Sequence, residues 1–121
     1  MGKRILIVED TEDNRRILRD LLAHAGFEIY EAHDGRAAVA AAEEFRPDLI
    51  LMDIQLPLLD GYEAIRHIKA STAAQPPPII AVTSYALSGD EERAWAAGCD
   101  GYIAKPFSPR QILAKIRELL E

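Results

Sequence analysis

Three short apolar runs, residues 5–8, 49–52 and 79–82, are filled on both alternating faces by Ile, Leu, Val, Met and Ala. A strand with one wet face alternates polar and apolar side chains; these do not, so each reads as a strand covered on both sides. Two further runs rich in branched or small residues, 28–32 and 101–104, complete a set of five. Between them lie segments with helical period. Ile17, Leu18, Leu21 and Leu22 form one stripe, Ala64, Ile65 and Ile68 a second, and Ile112, Leu113, Ile116, Leu119 and Leu120 a third. Helix starts are marked by Asp60 before Glu63, by Ser88 before Glu91, and by the capping box Ser108-Pro109-Arg110-Gln111. Gly26 and Gly98 sit where helices should stop.

Strand and helix alternating five times predict an α/β fold, a parallel sheet with helices on both faces and right-handed crossovers. The repetition is architectural, with no repeated sequence, which argues against a solenoid. The longest predicted connection, 71–78, ends in Pro76-Pro77-Pro78 without PxxP spacing. It reads as a stiff lead into the fourth strand.

The chain has 121 residues, enough for one domain, so residues 1–121 are read as a single unit. Its formal net charge of −6 disfavours contact with phosphate backbones, and no direct nucleic-acid partner is expected. No apolar run approaches the roughly 20 residues of a membrane helix, and the start is too short in apolar residues for a signal peptide. The one cysteine, Cys99, excludes an internal disulfide framework, and a cytoplasmic setting is expected.

In an open parallel sheet the functional crevice lies beyond the carboxyl ends of the strands. The residues there are Glu9 and Asp10 after the first run, Asp53 after the third, Thr83 and Ser84 after the fourth, and Lys105-Pro106 after the fifth. Each taken singly has an ordinary explanation. Glu9-Asp10 fits a solvated turn capping the first helix, Asp53 a loop cap, Thr83 a strand end, and Lys105-Pro106 a turn. Taken together they do not, because three neighbouring carboxylates repel and need a cation or raised pKa values. Lys105 offsets one charge; a hard divalent ion held by oxygens, Mg2+ above all, would offset the rest. A carboxylate can also take up a phosphoryl group covalently, given positive charge around the phosphoryl oxygens. Asp53, at the end of the central strand, is the best-placed nucleophile, with Thr83 and Lys105 to hold the group.

The residues that carry this chemistry fall in a recognisable order. Residues 5–10 (Ile-Leu-Ile-Val-Glu-Asp), 48–57 (Asp-Leu-Ile-Leu-Met-Asp-Ile-Gln-Leu-Pro), Asp60-Gly61, Ala81-Val82-Thr83, Ala97-Gly98 and Lys105-Pro106-Phe107 together resemble the receiver domain of two-component response regulators. The resemblance spans essentially the whole chain. It implies the flavodoxin-like receiver fold, a doubly wound five-stranded parallel sheet in the order 2-1-3-4-5 with five helices. It implies a phosphorylation-operated switch in a two-component system or phosphorelay, with Asp53 accepting a phosphoryl group from a phosphohistidine. Asp10, Asp53 and the main-chain carbonyl of Gln55 would hold Mg2+, with Glu9 reaching it through water. Thr83 and Lys105 would engage the phosphoryl group, and Tyr102 occupies the aromatic switch position.

The implied partners are a sensor histidine kinase or histidine phosphotransfer protein, and a downstream protein bound on the surface of the fourth helix, fifth strand and fifth helix. A monomer or weak dimer, with no membrane partner, is expected. Such a chain transfers phosphate to itself and sheds it slowly, without being a dedicated turnover enzyme. Gln55 and Tyr85 flank the path of attacking water in the family, and the ring of Tyr85 is expected to slow hydrolysis.

Three rival readings stay open at this point. One is a constitutive receiver-like binding module, which should have lost Asp10, Asp53, Thr83 or Lys105. A phosphatase with an aspartyl intermediate usually carries an acid where Gln55 stands. A flavodoxin-type FMN protein needs a Ser/Thr/Gly-rich phosphate loop after Val8, which is missing. His24, His33 and His67 lack metal-ligand spacing and read as surface or half-buried groups. Cys99 reads as a packing residue, and Trp95 fits either a core or a partner-facing role. With the last helix ending near Leu120, the simplest expectation is a free-standing regulator resembling the small regulators of bacterial cell-cycle and phosphorelay circuits, or the receiver of a hybrid kinase.

Overall fold

The computed structural model describes residues 2–54, 56, 60–71, 76–83, 90–105 and 107–120. Gln55, Ser84, Tyr85, Ser88 and Pro106 lie outside the described residues, and so do the expectations placed on them. The elements run β1 (Arg4–Val8), α1 (Glu12–His24), β2 (Glu28–Ala32), α2 (Gly35–Phe45), β3 (Leu49–Asp53), α3 (Gly61–Ser71), β4 (Ile79–Thr83), α4 (Asp90–Ala97), β5 (Gly101–Ala104) and α5 (Pro109–Leu120). All pairings are parallel, as the alternation of strands and helices predicted, and the strand order is β2-β1-β3-β4-β5, as the family resemblance implied.

The doubly apolar runs explain the layers. Ile5 and Ile7 of β1 face one way with Leu49, Leu51, Ile80 and Val82, against Leu18 and Leu22 of α1 and Ile112 and Ile116 of α5. Leu6 and Val8 face the other way with Ile50, Met52, Ile79 and Ala81, against α2, α3 and α4. Each fully buried Leu or Ile contributes about 1.5–3 kcal/mol, so both faces of β1, β3 and β4 drive the fold. Small residues let α2 and α4 sit close: Ala38, Ala41, Ala42, Ala94 and Ala97 are all buried.

The predicted boundaries that fall on described residues hold with local chemistry. Asp60 accepts the Glu63 amide at 2.9 Å. The Ser108 amide donates to Gln111 Oε1 at 2.7 Å while the Gln111 amide donates to Ser108 Oγ at 3.1 Å, a reciprocal capping box. Gly26 (φ 99°) and Gly98 (φ 115°) end α1 and α4 in a conformation that disfavours a side chain. The Pro78 carbonyl accepts the Ile50 amide, so the triproline stretch leads directly into the β3–β4 ladder.

Two features depart from expectation. Ile17 belongs to the apolar stripe by spacing, yet it is 62% exposed. Leu18 and Leu22, one turn apart, take the line facing the sheet, and Ile17 lies about 100° round the helix from Leu18. Helix α2 ends on Arg46 at φ 48°, a left-handed conformation in a residue with a Cβ, immediately before Pro47. Proline cannot extend the helix, and the stop is made without glycine.

Gly61 fixes how α3 meets the end of β3. Its amide donates to the Ile54 carbonyl at 2.9 Å. A Cβ there would lie 2.5 Å from both the Asp53 carbonyl oxygen and Ile54 Cα, backbone atoms that cannot rotate aside. Gly61→Ala is therefore expected to destabilise the protein by about 1–3 kcal/mol, read as a lower urea midpoint. An unchanged midpoint would show that α3 can draw back from the strand without cost.

Candidate functional site

Parallel register brings the strand ends together. Val8 pairs with Met52, Asp53 with Val82 and Thr83 with Ala104, so the chain leaves β1, β3, β4 and β5 at one edge. Backbone bonds extend the ladder one residue further: the Glu9 amide to Ala32, the Ile54 amide to Val82 and the Lys105 amide to Thr83, at 3.1, 2.9 and 2.7 Å. Asp53 and Thr83 are the last residues of β3 and β4, and both are buried.

Glu9, Asp10 and Asp53 each offer a carboxylate oxygen, and those oxygens lie within 4.8 Å of one another. Glu9 and Asp53 are only 2% and 5% exposed, while Asp10 is open to solvent. Lys105 Nζ lies 2.8 Å from Glu9 Oε1 and 3.6 Å from Asp53 Oδ2. Glu9, Asp10, Asp53 and Lys105 thus fall at one place, and Thr83 ends the strand next to that of Asp53. Tyr102, on β5, is half-buried and packs against the cluster shared with α3 and α4.

The ordinary reading of Glu9 as a solvated helix cap does not hold. Thr11 is the N-cap of α1, and its side chain makes no capping bond. Glu9 Oε1 instead accepts from Lys105 and, at 3.0 Å, from Asn14 Nδ2, while Oε2 accepts the Asp10 amide at 2.9 Å. Burial alone would push the Glu9 carboxyl up, but hydrogen bonding with Asp53 and Lys105 and the ammonium's charge hold it at about 2. Asp10 moves the other way: lost hydration and the neighbouring Glu9 raise it above the ordinary carboxylate value. Burial disfavours the charge on Lys105, yet Glu9 and Asp53 outweigh this and raise the ammonium.

Two contributors had no place in the sequence reading. Asn14 and Arg15 stand in the first turn of α1; Arg15 Nη1 donates to the Glu9 carbonyl at 2.7 Å and its Nε lies 3.4 Å from Glu31 on β2. The available signal was position. Side chains on the third helical residue reach back over the preceding loop, and Asn14 is that residue.

An all-oxygen set of closely spaced carboxylates suits a hard divalent cation such as Mg2+ and does not suit a soft metal. The other candidates separate cleanly. His24, His33 and His67 are exposed. Cys99 is buried, and burial with Asp100 beside it pushes the thiol to about 11, away from reactivity. Trp95 turns outward, 47% exposed, its ring nitrogen donating to Glu91 at 3.3 Å. Among the described residues no helix is long and apolar enough to cross a membrane.

Replacing Lys105 should expose how far the ammonium sustains this edge. Lys105→Met leaves buried Glu9 and Asp53 without their shared cation. Because the lysine side chain is 23% exposed, water recovers part of the loss; the expected cost is about 1–3 kcal/mol in urea unfolding at neutral pH without metal. An unchanged midpoint would mean that the ammonium does not hold the carboxylates in place.

Comparison with known proteins agrees with this geometry. Residues 5–117 match the family described as the response regulator receiver domain. The chain is 43% identical over 120 residues to the polar-differentiation response regulator DivK of Brucella anthropi, covering 99% of this chain and 98% of that protein. The DivK of Brucella ovis is 42% identical over the same shares. Among solved structures, the receiver domain of a Pseudomonas aeruginosa sensor histidine kinase, described with a magnesium ion coordinated in its active-site cleft, superposes with a TM-score of 0.91. It is 40% identical, covering 99% of this chain and 98% of that one. A CheY-like receiver protein from Methanospirillum hungatei gives 0.92 at 33% identity, over 99% and 94%.

Proposed function

Because this chain belongs to the response regulator receiver domain family of two-component signalling, we propose that it is a phosphorylation-operated switch whose acceptor is Asp53. The observation that carries this reading is the meeting of Glu9, Asp10, Asp53, Thr83 and Lys105 at the carboxyl edge of the sheet. Members of the family work with histidine kinases or phosphotransfer proteins and signal more than they turn over substrate. Residues 1–121 form one receiver domain in this reading.

Asp53 Oδ attacks phosphorus of a phosphohistidine. An O–P bond forms, the N–P bond breaks, and its electron pair returns to the imidazole of the donor. Acetyl phosphate serves as a small-molecule donor in the same way, releasing acetate. Asp10, Asp53 and the Gln55 carbonyl would hold Mg2+, with Glu9 acting through water; when bound, the ion supplies positive charge to the phosphoryl oxygens. Lys105 provides a second positive charge, already 3.6 Å from Asp53 Oδ2. Thr83, at the end of the neighbouring strand, donates a hydrogen bond from its hydroxyl to the new group.

The added charge, near −2, favours arrangements in which Thr83 and Lys105 hold it. Its effect is a population shift, limited by how much better one arrangement grips the phosphoryl group. Tyr102 carries the change to the surface of α4, β5 and α5, where a downstream protein binds. The chain acts in the cytoplasm as a monomer or weak dimer, and Tyr85 slows loss of the phosphoryl group.

Intact-mass measurement after incubation with acetyl phosphate tests the reading. The expected result is one phosphoryl adduct that needs Mg2+ and is absent from Asp53→Asn. An adduct that survives in Asp53→Asn would refute the acceptor. If neither acetyl phosphate nor a phosphorylated phosphotransfer protein yields an adduct, the chain is a constitutive binding module.

A further inference from the structure

Glu9 Oε1 is the acceptor of two donors from opposite ends of the chain, Lys105 Nζ at 2.8 Å and Asn14 Nδ2 at 3.0 Å. The carboxylate is buried, so a donor that leaves costs a hydrogen bond that bulk water does not readily restore. In the proposed function the ammonium shifts from Glu9 toward the acceptor, which it now faces at 3.6 Å. Glu9 Oε1 then depends on what remains. The Asp10 amide serves only Oε2, at 2.9 Å. Arg15 binds the main-chain carbonyl of Glu9, not its carboxylate. Asn14 stays on Oε1 as a neutral side-chain donor.

We propose that Asn14 is a positioning residue which keeps Glu9 Oε1 hydrogen-bonded while Lys105 transfers to the phosphoryl group on Asp53. This rests on the phosphoacceptor reading and adds a residue to it. The amide is neutral, which matters. A second cation in its place would also satisfy Glu9, but it would compete for the incoming phosphoryl oxygens. A carboxylate there would repel Glu9 and trap Lys105. An amide satisfies the oxygen without adding charge, and Arg15, anchored between the Glu9 carbonyl and Glu31, holds the turn that presents it.

The test is a double-mutant cycle in the full chain with Asn14→Leu, which keeps the bulk and removes the donor, and Lys105→Ala. At saturating Mg2+ and fixed acetyl phosphate, adduct formation on Asp53 is followed by intact mass. Asn14→Leu is expected to slow it about tenfold when Lys105 is present, and less than about twofold when Lys105 is already absent. Asn14→Gln, which keeps an amide donor, should recover most of the rate. A second readout needs neither metal nor phosphate. In urea unfolding without Mg2+, the double variant should lose more than the sum of the two single losses, because only then is Oε1 stripped of both donors.

Equal slowing in both lysine backgrounds would overturn the inference, since Asn14 would then act independently of Lys105. An unchanged rate in Asn14→Leu, or strictly additive unfolding losses, would overturn it too. Failure of the wild-type chain itself to form the adduct is a separate result: it removes the phosphoacceptor reading and this inference with it.

Discussion

Two carboxylates buried at the ends of adjacent strands set the terms for this molecule. Glu9 and Asp53 are almost without solvent, and both are reached by Lys105, which follows the edge strand β5. A low-dielectric edge makes such charges expensive to hold and strongly responsive to any new charge brought among them. The same condition that would make the edge unstable without a cation makes it sensitive to a phosphoryl group. The rest of the fold is what keeps these three side chains at fixed distances.

That rigidity comes from strands that are apolar on both faces. Helices α1 and α5 close one side and α2, α3 and α4 the other, so β1, β3 and β4 have no freedom to slip. A register slip by one residue would drive Asp53 or Thr83 into an apolar layer. At the edge itself the backbone is tied by the bonds from Glu9, Ile54 and Lys105 to the neighbouring strands. The close approach of Gly61 to the Asp53 carbonyl sets α3 against the same point. The opposite end of the sheet is fastened separately, by Lys69 bonding Asp100 and the Pro77 carbonyl at 2.7 and 3.1 Å.

Much of this was legible before any coordinates. Continuous apolar runs marked the central strands, the Ser108–Gln111 pair marked the start of α5, and Gly26 and Gly98 marked two helix ends, each through a local preference that tertiary packing did not override. The polar residues at the strand ends identified the edge, because few side chains of that kind interrupt the apolar runs. Other features were hidden for equally physical reasons. Arg46 stops α2 in a conformation that sequence rules assign to glycine or asparagine. Ile17 looked apolar and periodic, but a helix on a sheet buries a narrower line than its stripe of apolar residues. Asn14 carries no signal of its own type; its importance lies in which oxygen it meets.

The sequence by itself determined the alternation of strands and helices, the doubly covered sheet and the set of polar groups delivered to one edge. Those follow from periodicities of two and 3.6 residues and from caps acting over a few positions, all of them local. Only the tertiary structure decided how the groups divide among themselves. Lys105 lies closer to Glu9 than to Asp53, Asn14 shares the same Glu9 oxygen, Trp95 points to solvent, and Asp10 alone of the three acids stays open. Those outcomes depend on side chains as far apart in sequence as residues 9 and 105 meeting within hydrogen-bonding distance, which packing of the whole sheet determines and no local pattern records.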